Sequence, residues 1–228
     1  MYKYLLFDLD DTLLDFKKAE AVAIRRVLDM FGIDSSDKTV ELYSGINKSF
    51  WERFERGEIK REEIFEGRFK VLAERLKINL DTGAICKKYF ENLSLCGFTF
   101  EGTIPLLQKL KDKYLLCAAT NGALITQERR IAASGIEKYF NGGIYISEAM
   151  GCQKPQKEYF EQILKALGNP PKEQVLMLGD SLSGDIAGAK NSGIDCCFVN
   201  LRGQLLPDGV SPNYIVTSLE DIPAVCGL

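Results

Sequence analysis

Four short apolar runs, Leu115 to Ala119, Ile144 to Ile146, Val175 to Leu178 and Cys196 to Val199, alternate with helix-length segments through the second half of this chain. A short strand that is apolar throughout has both faces buried, as happens when helices cover both sides of a parallel sheet. The alternation therefore predicts βαβ units. With Tyr4 to Phe7 as a further apolar run at the amino end, the expected fold class is α/β, a doubly wound, Rossmann-like parallel sheet. Its helices are expected near 103–112, 125–134, 156–167 and 183–192.

After Leu14 the period changes. Ile24, Val27, Leu28 and Phe31 recur at helical spacing, and Gly32 stands where a helix C-terminal glycine belongs. Tyr43, Ile46, Phe50 and Phe54 make a second stripe, Phe65, Phe69, Leu72 and Leu76 a third, and Ile85 with Tyr89 a weaker fourth. Residues 16–96 thus read as an all-helical insertion, and 1–15 with 97–228 as the α/β core. A chain of 228 residues, 46% of them apolar, has enough material for both.

Composition excludes several kinds of chemistry. There is no histidine, which removes Ser-His-Asp and Cys-His mechanisms and His-ligated zinc, and leaves carboxylates, lysine and hard cations. The 29 basic and 32 acidic residues are spread along the chain, so no electrostatic footprint for nucleic acid or a membrane surface stands out; the expected partner is a small molecule. Met1-Tyr2-Lys3 leads straight into a strand-like run without the order of a signal peptide, and no stretch approaches the roughly 20 apolar residues of a membrane span. Seven cysteines without metal spacing read as free thiols of a reducing, cytoplasmic setting. Cys152 lies in a Gly-rich loop, but a cysteine without a neighbouring base is expected to be inert.

In an open α/β sheet, ligands bind beyond the carboxyl ends of the strands, so the loops there carry the chemistry. The first holds Asp8 and Asp10, two residues apart and so directed to one side of an extended chain. Thr120-Asn121-Gly122 follows the second apolar run, Lys154-Pro155 comes after the third, and Asp180 and Asp185 straddle a helix start after the fourth. Pro155 is expected in the first turn of the following helix. Each segment has an ordinary reading: an acidic turn, an Asn-Gly turn, a solvated lysine, an N-cap aspartate. Together they bring four carboxylates, one amine, a hydroxyl and an amide to one sheet edge. Such a site calls for a hard cation with oxygen ligands, Mg²⁺ above all, and metal with Lys154, Thr120 and Asn121 makes a pocket for a phosphate group. A carboxylate beneath the phosphorus is then a nucleophile.

In order and spacing these four segments resemble the four motifs of the haloacid dehalogenase superfamily of phosphohydrolases. The resemblance implies that Asp8 is the nucleophile and Asp10 the general acid and then base, with its backbone carbonyl on Mg²⁺. It likewise implies that Thr120, Asn121 and Lys154 hold the phosphate, that Asp8 and Asp180 ligate the metal along with Asp10, and that Asp185 supports the metal site. An acid at the position of Asp10 argues against dehalogenation, since a halide needs no proton on departure and an alkoxide does.

The insertion resembles a helical type-one cap, and its segments Ile46 to Trp51, Phe54 to Ile59 and Arg68-Phe69 are similar to those of bacterial pyrimidine 5′-nucleotidases. That resemblance implies a nucleoside monophosphate substrate, with Asn47, Trp51 and Arg68 as candidate contacts to sugar or base. Ala123 and Cys152-Gln153 depart from the nucleotidase pattern at the pocket's flanks. A phosphatase for sugar phosphates or phosphoglycolate, and a sugar-phosphate mutase, remain alternatives. A receiver-like phosphoacceptor module shares some residue types, but here a second acidic loop follows Lys154.

Overall fold

A computed structural model describes residues 1–228. The chain opens with β1 (Tyr4–Phe7), then makes α1 (Phe16–Met30), α2 (Asp37–Glu55), α3 (Arg61–Leu76), α4 (Thr82–Leu93) and α5 (Thr103–Leu110) before β2 (Leu115–Thr120). It continues through α6 (Leu124–Ser134), β3 (Ile144–Ile146), α7 (Ser147–Met150), α8 (Lys157–Ala166) and β4 (Val175–Gly179). Last come α9 (Ala187–Ser192), β5 (Asp195–Val199), β6 (Tyr214–Val216) and α10 (Ile222–Cys226).

The six strands form one parallel sheet in the order β3-β2-β1-β4-β5-β6. β1 is central, and the strand order reverses beside it, which opens a crevice above the carboxyl ends of β1, β2 and β4. Register makes the crevice narrow: Phe7 lies opposite both Ala118 and Leu178, so the residues that leave these three strands converge. Side-chain alternation supplies two core layers. Leu5, Phe7, Leu116, Ala118, Leu176 and Leu178 face one side, while Leu6, Cys117, Ala119, Val175 and Met177 face the other.

Three details differ from the sequence expectation. The sixth strand was not anticipated: Tyr214–Val216 is too short and too close to Pro207, Gly209 and Pro212 to show a period, and forms because it pairs with Cys197–Val199. Pro155 stands ahead of α8 and not inside its first turn, so Lys154 lies in the loop. The helix expected near 183–192 begins as a wide turn over Leu182–Ile186, capped by the Ser181 hydroxyl, which accepts from the Gly184 N–H at 2.9 Å.

α1 packs on α4 and α2 on α3. Their shared core holds Ile24, Val27 and Leu28 from α1, Tyr43 from α2, Phe69 and Leu72 from α3, and Tyr89 from α4, largely the stripes read from helical spacing. Asp15 and Asp81 cap α1 and α4, accepting from the N–H groups of Lys18 and Ala84. No helix is long and apolar enough to cross a membrane.

The chain enters and leaves this helical block through two paired segments: the Asp15 N–H donates to the Phe98 carbonyl at 2.9 Å and the Phe100 N–H to the Leu13 carbonyl at 3.1 Å. Gly97 lies against the end of α6, where a Cβ would stand 2.5 Å from the Ser134 nitrogen and 2.7 Å from the Ala133 carbonyl carbon. Backbone cannot yield as a side-chain tip can. Gly97→Ala is expected to destabilise the chain by about 1–3 kcal/mol, lowering the melting temperature by about 2–4 °C per kcal/mol in thermal denaturation. An unchanged melting temperature would show that the crossing can shift freely.

Candidate active site

Lys154 is the organising group. Its Nζ donates to Asp8 Oδ1 at 2.6 Å, Asp185 Oδ1 at 2.6 Å and the Ala119 carbonyl at 2.7 Å, which uses all three protons of a buried ammonium. Asn121 fixes the loop that delivers it: the Asn121 amide donates to the Lys154 carbonyl and accepts from the Lys154 N–H, both at 2.9 Å. The Asn121 side chain is therefore committed to Lys154, not turned to a ligand. Burial works against the charge on Lys154, but Asp185 and Asp8 outweigh it and hold its pKa well above the usual lysine range.

Asp8 leaves β1 with its N–H donating to the Leu178 carbonyl at 2.8 Å, so its carboxyl points into the crevice between β1 and β4. Carboxylate oxygens of Asp8, Asp180 and Asp185 lie within 4.8 Å of one another. Burial pushes Asp8 up to about 8; Lys154 pulls it down, while Asp185 and Asp10 push it further up. Burial, then Asp8 and Asp185, raise Asp180 well above the ordinary range as well. Asp185 packs against Gly179, and its Oδ2 accepts from the Ser181 N–H at 3.0 Å.

The other carboxylate of the opening pair turns elsewhere. Gln127 Nε2 donates to Asp10 Oδ2 at 2.9 Å, and Arg130 Nη1 donates to Asp10 Oδ1 at 2.5 Å. Asp8 and Asp10 thus do not share one partner. Asp11 adopts a left-handed conformation (φ 61°) just after Asp10, and its carboxylate accepts from Arg202 at 2.6 Å. The Thr120 hydroxyl accepts from Gln127 Nε2 at 2.8 Å and from the Gly122 N–H at 3.2 Å.

Two residues that the sequence reading did not single out join the helical block to these loops. Glu55, at the end of α2, accepts from the hydroxyls of Ser181 and Ser183. Arg61, at the start of α3, donates to the Asn121 carbonyl at 2.7 Å, the Gly122 carbonyl at 3.3 Å and the Ser147 hydroxyl at 2.6 Å. Glu55 falls within the Phe54 to Ile59 segment of the cap resemblance without being marked out there, and Arg61 has no sequence signal beyond its position just after the turn at Gly57.

Asn47 and Arg68 require a correction. Both are buried inside the helical block, where Arg68 Nη1 donates to Asn47 Oδ1 at 2.7 Å and Asn47 Nδ2 donates to Glu20 Oε1 at 2.6 Å. Glu20 also accepts from Ser44 at 2.6 Å, and the Arg68 guanidinium lies 4.7 Å from the Tyr89 ring centre. Both ends of the Asn47 amide are engaged, because a buried carboxylate such as Glu20 demands donors. Trp51 is half-buried and meets Phe54 edge-on, with ring centres 5.7 Å apart. Cys152 is buried, its thiol pushed up by burial, as suits an unreactive cysteine.

Three neighbouring carboxylates with oxygen donors only, two of them raised by burial and then by mutual repulsion, fit a hard divalent cation and not a soft one. Because the folded chain holds protons on Asp8 and Asp180 to higher pH than the unfolded chain does, its metal-free stability falls as pH rises from about 4 through about 8. Mg²⁺ binds the ionised groups. The gain in melting temperature on adding Mg²⁺ is expected to be larger at about pH 8 than at about pH 5. Equal gains at both pH values in a thermal-shift measurement would exclude these carboxylates as the site.

A crevice at the switch point of a doubly wound sheet, with acidic strand-end loops and a helical insertion after the first strand, defines a class of α/β hydrolase. The chain matches the haloacid dehalogenase-like hydrolase family over residues 2–193 and belongs to it. It is 37% identical to the pyrimidine 5′-nucleotidase PynA of Streptococcus pneumoniae, over 97% of this chain and 93% of that one. It is 34% identical to the HAD-hydrolase YfnB of Bacillus subtilis, over 97% and 94%. A crystal structure of YfnB bound to magnesium superimposes with a TM-score of 0.94, covering 100% of this chain and 99% of the other at 32% identity. The pyrimidine 5′-nucleotidase YjjG of Escherichia coli is 28% identical over 97% and 96%.

Proposed function

We propose that this protein is a Mg²⁺-dependent phosphomonoesterase acting through an aspartyl-phosphate on Asp8, with nucleoside 5′-monophosphates, pyrimidine ones foremost, as substrates. The observation that carries the reading is the contact of one buried lysine with two acidic residues of a carboxylate triad at the switch point. Asp8, Asp180 and Asp185, with the Asp10 carbonyl, are the groups assigned to the cation, which when bound neutralises charge on the triad and the phosphate. Similarity to PynA and YjjG supports the nucleotide, and the magnesium-bound structure of YfnB supports the cation.

In the first half-reaction an Asp8 oxygen attacks phosphorus, the bond from phosphorus to the ester oxygen breaks, and that oxygen takes a proton from Asp10. In the second, water attacks phosphorus, gives its proton to Asp10, and releases phosphate and free Asp8. Lys154 and Thr120, with backbone donors of the Asn121 loop, offset charge on the phosphoryl oxygens. Residues 16–96 act as a cap on a core of 1–15 and 97–228, held closed by Glu55 and Arg61. Seven free thiols, all buried, are in keeping with a cytoplasmic setting.

The deciding experiment measures phosphate release with Mg²⁺ from UMP, CMP and TMP beside AMP, GMP, hexose phosphates and phosphoglycolate. The reading requires a pyrimidine nucleotide to give the highest kcat/KM. A hexose phosphate or phosphoglycolate turned over best would replace the nucleotide with that class of ester, and isomerisation of a sugar phosphate without release would make the protein a mutase.

A further inference from the structure

α6 carries a polar pair that the roles above do not use. Gln127 and Arg130 are separated by one helical turn and face the sheet edge, with Arg130 at 0% and Gln127 at 1% exposure. A buried arginine and a buried glutamine on a short helix are costly unless their hydrogen bonds are made. Here most are. Arg130 Nη1 donates to Asp10 Oδ1 and, at 2.8 Å, to Gln127 Oε1; Gln127 Nε2 donates to Asp10 Oδ2 and to the Thr120 hydroxyl.

The pair is itself anchored. Arg130 Nε donates to the Cys96 carbonyl at 3.2 Å, and its guanidinium carbon lies 5.4 Å from the centre of the Phe16 ring. Phe16 and Cys96 belong to the two ends of the helical insertion, so the arginine sits where the chain crosses out of the core and back. Gly122 contributes by omission, since a Cβ there would collide with the Gln127 side chain.

Without these donors the Asp10 carboxyl, whose side chain is 28% exposed, would turn freely about its terminal torsion. Proton transfer to a leaving oxygen and from a water demands a defined oxygen in a defined place, and a displacement of about 1 Å costs on the order of 10²-fold in rate. We propose that Gln127 and Arg130 are positioning residues that orient the Asp10 carboxyl for its proton transfers and, through the shared Gln127 amide, set it relative to Thr120. The proposal rests on the phosphomonoesterase reading, in which Asp10 protonates the ester oxygen and then deprotonates water. The pair itself gains and loses no proton; it fixes which Asp10 oxygen faces the scissile bond.

The test compares a leaving group that needs a proton with one that does not. From UMP the nucleoside departs as its 5′-alkoxide, whereas p-nitrophenyl phosphate releases a stable phenolate. Rapid-quench measurement of the first-turnover burst, with Mg²⁺ and the full chain, isolates formation of the Asp8 acyl phosphate for each. Gln127→Met, close in volume and neutral, and Arg130→Lys, which keeps the charge, are the variants.

The expected result is a burst rate for UMP lowered about 10–100-fold in both variants, with KM near wild type and the p-nitrophenyl phosphate burst within about 3-fold of wild type. Equal slowing of both esters, a rise in KM alone, or no slowing would overturn the positioning role. Should Arg130→Lys not fold, Gln127→Met decides alone. A wild-type chain that releases phosphate from neither ester would overturn the phosphomonoesterase reading instead, so the two failures are distinguishable.

Discussion

Asp8→Asn is expected to lower phosphate release by at least about 10³-fold while leaving the fold in place. Asparagine keeps the shape of the side chain, and its carbonyl oxygen still accepts from Lys154 Nζ, which lies 2.6 Å from Asp8 Oδ1. It removes the nucleophile. It also removes one charge from a buried triad in which Asp8 is already pushed up to about 8 by burial and by its acidic neighbours, so stability is not expected to suffer. A melting temperature within a few degrees of wild type, together with loss of phosphate release from every ester tested, is the predicted pair of observations. Retention of a tenth or more of wild-type turnover would show that a group other than Asp8 attacks the phosphorus.

Lys154→Met should act on both stability and rate. Lys154 is buried between Asp8 and Asp185, with side-chain exposures of 3%, 8% and 0%. Removing one member of a buried ionic group leaves the others uncompensated, and such losses run to about 3–5 kcal/mol. For a chain of this size that corresponds to a fall of about 6–20 °C in melting temperature, largest above neutral pH, where Asp8 is ionised more fully. The rate should fall by about 10²–10³-fold, as for loss of one preorganised electrostatic donor.

The double variant Lys154→Met, Asp185→Asn separates the two effects. Neutralising Asp185 removes one of the carboxylates left unpaired, so most of the stability should return in thermal denaturation while activity stays low. If stability did not return, the loss would lie in packing and not in buried charge.

The residues that the motifs nominated and the residues that hold them in place differ in how far they can be read from a one-dimensional chain. Asp8, Thr120, Asp180 and Asp185 were legible because each closely follows an apolar run, and Lys154 because it stands in the loop between the third run and the next helix; the convergence of such loops is a property of any open parallel sheet. Gln127 and Arg130 were not, because two polar residues one turn apart on a helix look solvated until the helix is docked. Asn47 and Arg68 failed in the opposite direction. Their polarity beside an apolar stripe suggested a cleft, but Glu20, in a different helix, accepts from Asn47, and Asn47 in turn accepts from Arg68.

Sequence alone determined the parallel α/β core, the helical insertion after the first strand and the types of residue gathered at the strand ends. Those properties follow from local periodicity and from the rule that a strand apolar on both faces needs covering on both sides. Only the tertiary structure decided which partner each polar group takes: Asp8 to Lys154, Asp10 to Arg130 and Gln127, Glu55 and Arg61 to the loops across the cleft. The reason is that burial makes a hydrogen-bonding group seek whichever complementary group is nearest in space, and for these residues that partner is far along the chain: 117 and 120 positions for Asp10 with Gln127 and Arg130, 126 for Glu55 with Ser181, 146 for Asp8 with Lys154, and 60 for Arg61 with Asn121.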